Sequence, residues 1–277
     1  MVYSPSFTKY QTIHSMKKLL IVIAIVGFAF GIHLVSGQPR ANANVDIQAG
    51  DLIRGEAFTA VYYYGADGFR YVFPNSQTYF TWYSNFNTVK FVSDAQLGEI
   101  PIGGNVTYRP GIKMVKIQSD PRTYALGANG ALHHVPSQEV AIALYGTTWN
   151  KQIDDIPDAF FGNYSFDTAL VSAADFDKTT VTATASSINV DKGLQTPIQI
   201  SITDSGFVPV DVTIGAGRVV RFTNNGAENH SATDDLLKWG SGTLAPGSKF
   251  QRRFKDAGTF TFHDSYKTQN TGAVFVN

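Results

Sequence analysis

The sequence predicts an α+β repeat domain over residues 46–175, followed by an all-β Greek-key sandwich over residues 196–277. Three observations carry this prediction. A segment of the N-terminal half recurs 62 residues later, a Thr/Ser-rich tract separates the halves, and short alternating apolar segments between Gly and Pro turns fill the C-terminal half. Internal repeats define an architecture before any single residue does. Short alternating strands between turns are typical of Greek-key sandwiches.

The repeat is read directly from two matching segments. Residues 65–74 read GADGFRYVFP and residues 127–136 read GANGALHHVP. The central dipeptides Asp67-Gly68 and Asn129-Gly130 favour two-residue hairpin turns, because both residues accept positive φ. A helix capped by Ser137 is predicted over residues 137–145, and residues 76–83 form its weaker counterpart. The N-terminal half is therefore expected to contain two β-hairpin-plus-helix units.

The tract between the halves, residues 176–195, is rich in threonine and serine around Thr179–Ser187. Such residues have β-propensity, but the tract shows no apolar period that would define a buried face. A flexible linker and a single edge strand are both compatible with this pattern. We expect the domain boundary to lie there.

Residues 1–43 predict export. The basic stretch Met16-Lys17-Lys18 is followed by the apolar run Leu19–Gly31 and by the small-residue site Ala41-Asn42-Ala43. This order is typical of a bacterial secretory signal peptide, with Met16 as an alternative start. The localisation is then periplasmic, cell-surface or secreted. An uncleaved segment that anchors the chain in a membrane is the alternative, although its apolar run is short for a span.

Charge and cysteine content limit the function further. The predicted mature chain carries 18 basic and 22 acidic side chains, because the removed segment contains four basic residues and no acidic ones. This net negative charge argues against nucleic acid or an anionic membrane as a partner. The chain has no cysteine, so an exported fold of this kind has to depend on its hydrophobic cores alone.

Three segments of the C-terminal half resemble the cupredoxin family, which includes plastocyanin and azurin. They are residues 219–230 (VVRFTNNGAENH), 241–247 (SGTLAPG) and 258–262 (GTFTF). The resemblance implies a β-sandwich in which His230 occupies the position of the first copper ligand. The family continues with Cys, His, Met and Gly at fixed spacing. Here the corresponding residues are Asp264, Lys267, Asn270 and Gly272.

These substitutions argue against a type-1 copper centre. Such a centre needs two imidazoles and a thiolate with a weak axial ligand, and of the family's ligands only His230 remains. A lysine ammonium has no lone pair and repels a cation. We expect Asp264 and Lys267 to form a local ion pair in place of the metal, and we expect no cofactor.

One metal-binding alternative stays open. His230 and Asp264 would hold copper or another divalent ion in a non-blue site, with water completing the shell. Metal sites usually need three or more protein ligands, and the competing interpretation is a loop histidine satisfied by hydrogen bonds. His263 precedes Asp264 in a strand and should point to the opposite face.

Aromatic residues crowd the N-terminal half, and Tyr63, Tyr71 and Trp82 are candidates for a partner-binding surface. Aromatic clusters bind sugars, peptides and proteins, but they also build small cores. The phrases YVFP at residues 71–74 and GGNVTYRPG at residues 103–111 resemble uncharacterised hairpin-helix repeats of exported bacterial envelope proteins. That resemblance implies a cell-surface location and no known chemistry.

Together these features predict an exported, non-enzymatic cell-envelope protein. Its partner would be a cell-surface polymer or an envelope protein, and membrane contact would occur only through an uncleaved signal segment. The runner-up is a metal-binding or electron-transfer protein that uses His230 and Asp264. A secreted hydrolase is a third hypothesis, but the sequence shows no arrangement of nucleophile and base that would support it.

We predict that export in a bacterial host produces a mature N-terminus at Asn44, because the small-residue cleavage site ends at Ala43. Mass spectrometry of the exported protein measures this terminus. An intact Leu19–Gly31 segment in the membrane fraction would instead support the anchor.

Overall fold

The computed structural model describes residues 44–277, so the predicted signal segment lies outside the described residues. Within that range no helix is long and apolar enough to span a bilayer. The chain folds into two five-stranded sheets followed by two four-stranded sheets.

The first sheet is an antiparallel meander with a parallel strand added at each edge. Its elements are β1 (Leu52–Gly55), β2 (Tyr62–Tyr64), β3 (Arg70–Val72), helix α1 (Ser76–Trp82), β4 (Val89–Val92), helix α2 (Asp94–Glu99) and β5 (Ile102–Asn105). The strand order is β4-β1-β2-β3-β5. Strand β4 runs parallel to β1, and β5 runs parallel to β3.

The second sheet has the same strand order and the same directions. Its elements are β6 (Met114–Ile117), β7 (Asp120–Leu126), β8 (Ala131–His134), helix α3 (Gln138–Tyr145), β9 (Ile153–Ile156), helix α4 (Asp158–Phe161) and β10 (Ser165–Phe166). The order is β9-β6-β7-β8-β10. Strand β9 is parallel to β6, and β10 is parallel to β8.

Local sequence explains the hairpins and helices of both sheets. The side chain of Asn75 accepts a hydrogen bond from the amide of Thr78 at the start of α1, and Ser137 does the same for Val140 in α3. Each sheet is nevertheless larger than the predicted β-hairpin-plus-helix unit. A preceding strand and two parallel strands complete it, and parallel pairing needs the long connections that the helices provide.

The segment over residues 176–195 is neither an edge strand nor an exposed linker. It forms helices α5 (Lys178–Thr184) and α6 (Ile188–Asp191), and Ile188 is buried. The side chains of Asp177 and Ser187 cap the two helices. In α5 the hydroxyl of Thr182 donates to the carbonyl of Lys178, a local bond that a strand would not offer.

Helix α6 contacts the hairpin turns of both five-stranded sheets. Asn189 accepts a hydrogen bond from the amide of Ala66 at 2.8 Å, and Asp191 accepts one from the amide of Asn129 at 2.7 Å. Asn129 adopts a φ of 52°, a conformation that asparagine tolerates better than most residues. The tract predicted to lie between the halves therefore packs on the N-terminal half and contacts both of its sheets.

The C-terminal half is a β-sandwich, as predicted. One sheet contains β11 (Ile198–Thr203), β12 (Gly206–Val208), β14 (Val219–Asn224) and β16 (Lys249–Arg253). The other contains β13 (Asp211–Ile214), β15 (Thr233–Asp234), β17 (Gly258–Asp264) and β18 (Lys267–Val276). Alternating apolar residues of both sheets meet in one core, where the rings of Phe222 and Phe262 lie 5.1 Å apart in an edge-to-face arrangement.

The hairpin β2–β3 packs against strand β16 of the sandwich. The buried carboxylate of Asp67 pairs with the guanidinium of Arg253 and accepts a 2.6 Å hydrogen bond from the Tyr71 hydroxyl. The side-chain amide of Gln251 donates to the carbonyl of Gly68 at 2.7 Å. These contacts give the first hairpin turn a fixed position on the sandwich.

Candidate functional site

The imidazole of His230 is fully buried, and carboxylates occupy both of its nitrogens. Its backbone pairs with that of Leu244, which fixes the loop after β14 against the neighbouring segment. Nδ1 lies 2.6 Å from Oδ2 of Asp264, and Nε2 lies 3.1 Å from Oδ1 of Asp204. The result is a continuous Asp204–His230–Asp264 hydrogen-bond chain at the end of the sandwich.

Asp264, the last residue of β17, is also fully buried. Its second oxygen accepts hydrogen bonds from the amides of Ser231 at 2.9 Å and Tyr266 at 3.0 Å. Together with His230, these donors satisfy the carboxylate, as a buried charge requires. Strand alternation places His263 on the opposite face, where its Nδ1 contacts Asp235 at 2.7 Å.

Asp204 lies in the turn between β11 and β12 and reaches the site from a different part of the chain. Its carboxylate accepts hydrogen bonds from the amides of Ala227 and Glu228 in addition to its contact with His230. A Cβ placed on Gly226 would lie 2.5 Å from Oδ1 of Asp204. Any larger residue at that position would therefore have to displace the Asp204 carboxylate from His230.

The predicted ion pair between Lys267 and Asp264 is wrong. The ammonium of Lys267 pairs with Glu228 at 2.8 Å and donates to the backbone carbonyl of Asp204 at 2.8 Å. Three other donors already satisfy Asp264, so the lysine turns towards the more exposed carboxylate. Asn270 does not join this cluster, and its side chain lines a shallow depression with Gly206 and Phe207.

The electrostatics favour a charged imidazole. Burial by itself lowers the pKa of His230, but the hydrogen bonds with Asp264 and Asp204 outweigh burial, and the pKa is raised. The amide of Ala227, followed by His230, lowers the pKa of Asp204. Glu228 raises the pKa of Lys267. The two carboxylate acceptors at the two ring nitrogens and the raised pKa both favour the imidazolium, which donates from each nitrogen.

The donor set does not fit a copper or zinc ion. Within residues 44–277 no group of three or more histidine, cysteine, aspartate or glutamate side chains is arranged to hold a metal. The 2.6 Å separation of His230 Nδ1 and Asp264 Oδ2 is a hydrogen-bond distance. Two ligands of a tetrahedral ion, each about 2.0 Å from it, would stand about 3.3 Å apart.

The structure places His230 beside Asp264, the two candidate metal ligands, and adds Asp204 and Glu228, which no sequence motif had singled out. The sequence feature that draws attention to Asp204 is the segment Asp204-Ser205-Gly206, which favours a turn. Nothing in that segment relates it to a histidine 26 residues further along the chain.

Two of the three candidate partner-binding aromatics are core residues, so that prediction is wrong for them. Tyr63 is 2% exposed and Tyr71 is 4% exposed, and both pack in the core of the first sheet. In strand β2 the alternation turns Tyr63 inward and leaves Tyr62 and Tyr64 half-buried. Trp82 is half-buried, and its indole N–H donates to the carbonyl of Thr107.

Comparison with known proteins gives a partial likeness to copper proteins. No protein-family model and no curated protein sequence matches the chain. A purple cupredoxin from Nitrosopumilus maritimus is 22% identical, with 29% of this chain and 99% of that chain covered and a TM-score of 0.28. A reduced mutant of amicyanin is 19% identical, with 29% and 82% covered and a TM-score of 0.28.

A copper-containing nitrite reductase from Thermus scotoductus SA-01 is 16% identical, with 30% of this chain and 23% of that chain covered, at the same TM-score of 0.28. Likenesses of this size carry no conclusion about chemistry. The chemistry of this chain follows from its own residues, which place the His230 imidazole between two carboxylates.

We predict that Asp264→Ala lowers the free energy of unfolding by about 3–5 kcal/mol, because it leaves a buried imidazolium with one partner fewer. Denaturant unfolding followed by tryptophan fluorescence measures this loss. The matched control is Asp235→Ala, which removes the partner of the half-buried His263 on the same strand. Equal effects of the two variants would contradict a special role for the buried pair.

We also predict that stability falls as the pH rises above about 6.5, the ordinary pKa of histidine. The folded-state pKa of His230 is raised above this ordinary value. Its contribution to stability is therefore complete below the ordinary pKa and is lost as the pH rises through the folded-state pKa. The pKa of Asp204 is shifted in the opposite direction, to a lower value. Its contribution to stability is therefore lost only as the pH falls into the acid range.

NMR titration of the His230 ring measures the folded pKa directly. Asp204→Asn should move it back towards the ordinary value, because one carboxylate is neutralised, and Asp235→Asn should leave it unchanged. A His230 pKa at or below the ordinary histidine value in the wild-type protein would overturn the assignment of a charged imidazole.

Proposed function

We propose that the chain is an exported, non-enzymatic cell-envelope protein. Its C-terminal cupredoxin-like sandwich has lost the type-1 copper ligands, and its N-terminal half binds or supports a cell-surface polymer or an envelope protein. The observation that carries this proposal is the closed Asp204–His230–Asp264 hydrogen-bond chain. A site whose only histidine already has both nitrogens engaged has a structural role.

The chemistry of the site supports this function in two steps. A blue-copper centre depends on a thiolate, and the chain contains no cysteine. Both ring nitrogens of His230 face carboxylates, and the imidazolium that this arrangement favours has no lone pair for a metal. The proton between His230 and each carboxylate thus provides the cross-link that a metal ion would provide in a copper-binding relative.

The N-terminal half supports a binding or structural role. We infer that its two sheets are copies of one unit, because they share strand order and direction and because β1, α1 and their counterparts β6 and α3 start 62 residues apart. Two carboxylates of β9 are paired with lysines at the neighbouring strand β6: Asp154 with Lys113 and Asp155 with Lys116. Such pairs across parallel strands favour a structural role for these carboxylates.

We predict that the wild-type protein binds copper weakly and without the intense visible absorption of a copper–thiolate bond. The triple variant Asp264→Cys, Lys267→His, Asn270→Met should acquire that absorption, because it restores a thiolate, a second imidazole and a thioether at the family positions. It also removes the salt bridge to Asp264 and the repelling ammonium. Copper loading followed by metal analysis and visible spectroscopy measures both proteins.

The matched control is Asp235→Cys, which places a thiol on the outer face beside His263. A folded triple variant that binds copper no better than the wild type would show that the β17–β18 connection does not follow cupredoxin geometry. Strong copper binding by the wild type would favour the metal-binding alternative at His230 and Asp264.

A further inference from the structure

A neutral groove of about 460 Å³ lies between the first sheet and helix α4 of the second. We call it the Phe86 groove. Its lining contains apolar, aromatic and uncharged polar side chains and no charged one: Thr59, Ala60, Val61, Val72, Phe73, Pro74, Asn75, Ser76, Tyr79, Phe86 and Phe160. A volume of this size is within the range of small-ligand sites in proteins.

Two exposed phenylalanine rings adjoin the groove: Phe86 lines it, and Phe80 contacts Phe86. The ring of Phe86 is stacked on that of Tyr79, with centroids 4.4 Å apart and planes inclined by 23°. Tyr79 is buried, and its hydroxyl donates to the carbonyl of Asn85 at 2.7 Å. One face of the Phe86 ring is therefore covered by Tyr79, while about half of the residue stays exposed.

Phe80 extends this platform. Its ring meets that of Phe86 edge-on at 5.3 Å and that of Tyr79 at 5.4 Å. Phe80 is 50% exposed and Phe86 is 48% exposed. Adjacent aromatic rings exposed to this extent favour burial against a partner, because removal of apolar surface from water stabilises the contact.

The uncharged lining of the groove favours an uncharged ligand. A second groove of about the same volume, beside β16, is lined by Glu99, Arg221 and Lys249 among others. The Phe86 groove instead offers the hydroxyls of Thr59 and Ser76 and the amide of Asn75 beside the rings. A sugar ring has an apolar C–H face that fits an aromatic ring and hydroxyls that pair with such neutral groups.

We propose that the Phe86 groove binds a neutral carbohydrate chain, with Phe86 and Phe80 as stacking platforms. This inference rests on the proposed function, since it names the class of surface polymer that the N-terminal half would bind. A phosphorylated or sulfated polymer is the less favourable partner, because none of the lining side chains carries a cation to neutralise it.

The test is calorimetric titration of the protein with cellohexaose, mannohexaose and chitohexaose. At least one should bind, and Phe86→Ala should weaken that binding about tenfold, equivalent to about 1.4 kcal/mol. The matched control is Phe91→Ala, which removes a 58% exposed phenylalanine from β4, outside the groove. Circular dichroism checks that both variants fold. No binding by the wild type, or equal binding by the two variants, overturns the inference.

A second measurement separates failure of this inference from failure of the proposed function. The protein and its Phe86→Ala variant are sedimented with isolated cell envelopes of the source organism, treated with either periodate or protease. Binding that requires Phe86 and is lost after periodate supports the carbohydrate. Binding that survives periodate but is lost after protease overturns the carbohydrate and leaves the envelope function standing. No binding to untreated envelopes overturns both.

Discussion

The buried Asp67 carboxylate is the group on which the arrangement of the described chain depends. Charge buried in a protein has to be paired, and Asp67 takes its partners from two regions: the Tyr71 hydroxyl on its own hairpin and the Arg253 guanidinium on the sandwich. The same hairpin contacts α6 through Ala66 and Asn189. If Asp67 lost these partners, the hairpin, helix α6 and the sandwich would all be affected. The chain has no disulfide to hold these three segments together.

The same requirement applies at the His230 site. Buried polar groups without partners are costly, and here both ring nitrogens of a buried imidazole face carboxylates. Asp264 comes from the end of β17, and Asp204 approaches from another turn. These hydrogen bonds keep the loop after β14 fixed to β17.

Part of the fold could be predicted because it depends on short-range patterns. The alternating isoleucines of β11, the helix after Ser137 and the turn at Asp67-Gly68 follow from residues a few positions apart. The helices α5 and α6 could not be predicted in this way. Their threonine and serine residues favour strands or loops by propensity, and burial of Ile188 against the first sheet overrides that preference.

By itself the sequence determined that no thiolate exists in the chain and marked His230 and Asp264 as candidates for one site, because composition and spacing do not depend on the fold. Only the tertiary structure decided which groups meet. It brought Asp204 to His230 and sent Lys267 to Glu228. It also buried Tyr63 and Tyr71 and left Phe80 and Phe86 at the surface. Strand alternation separates two faces, but the neighbouring elements determine which face becomes the core.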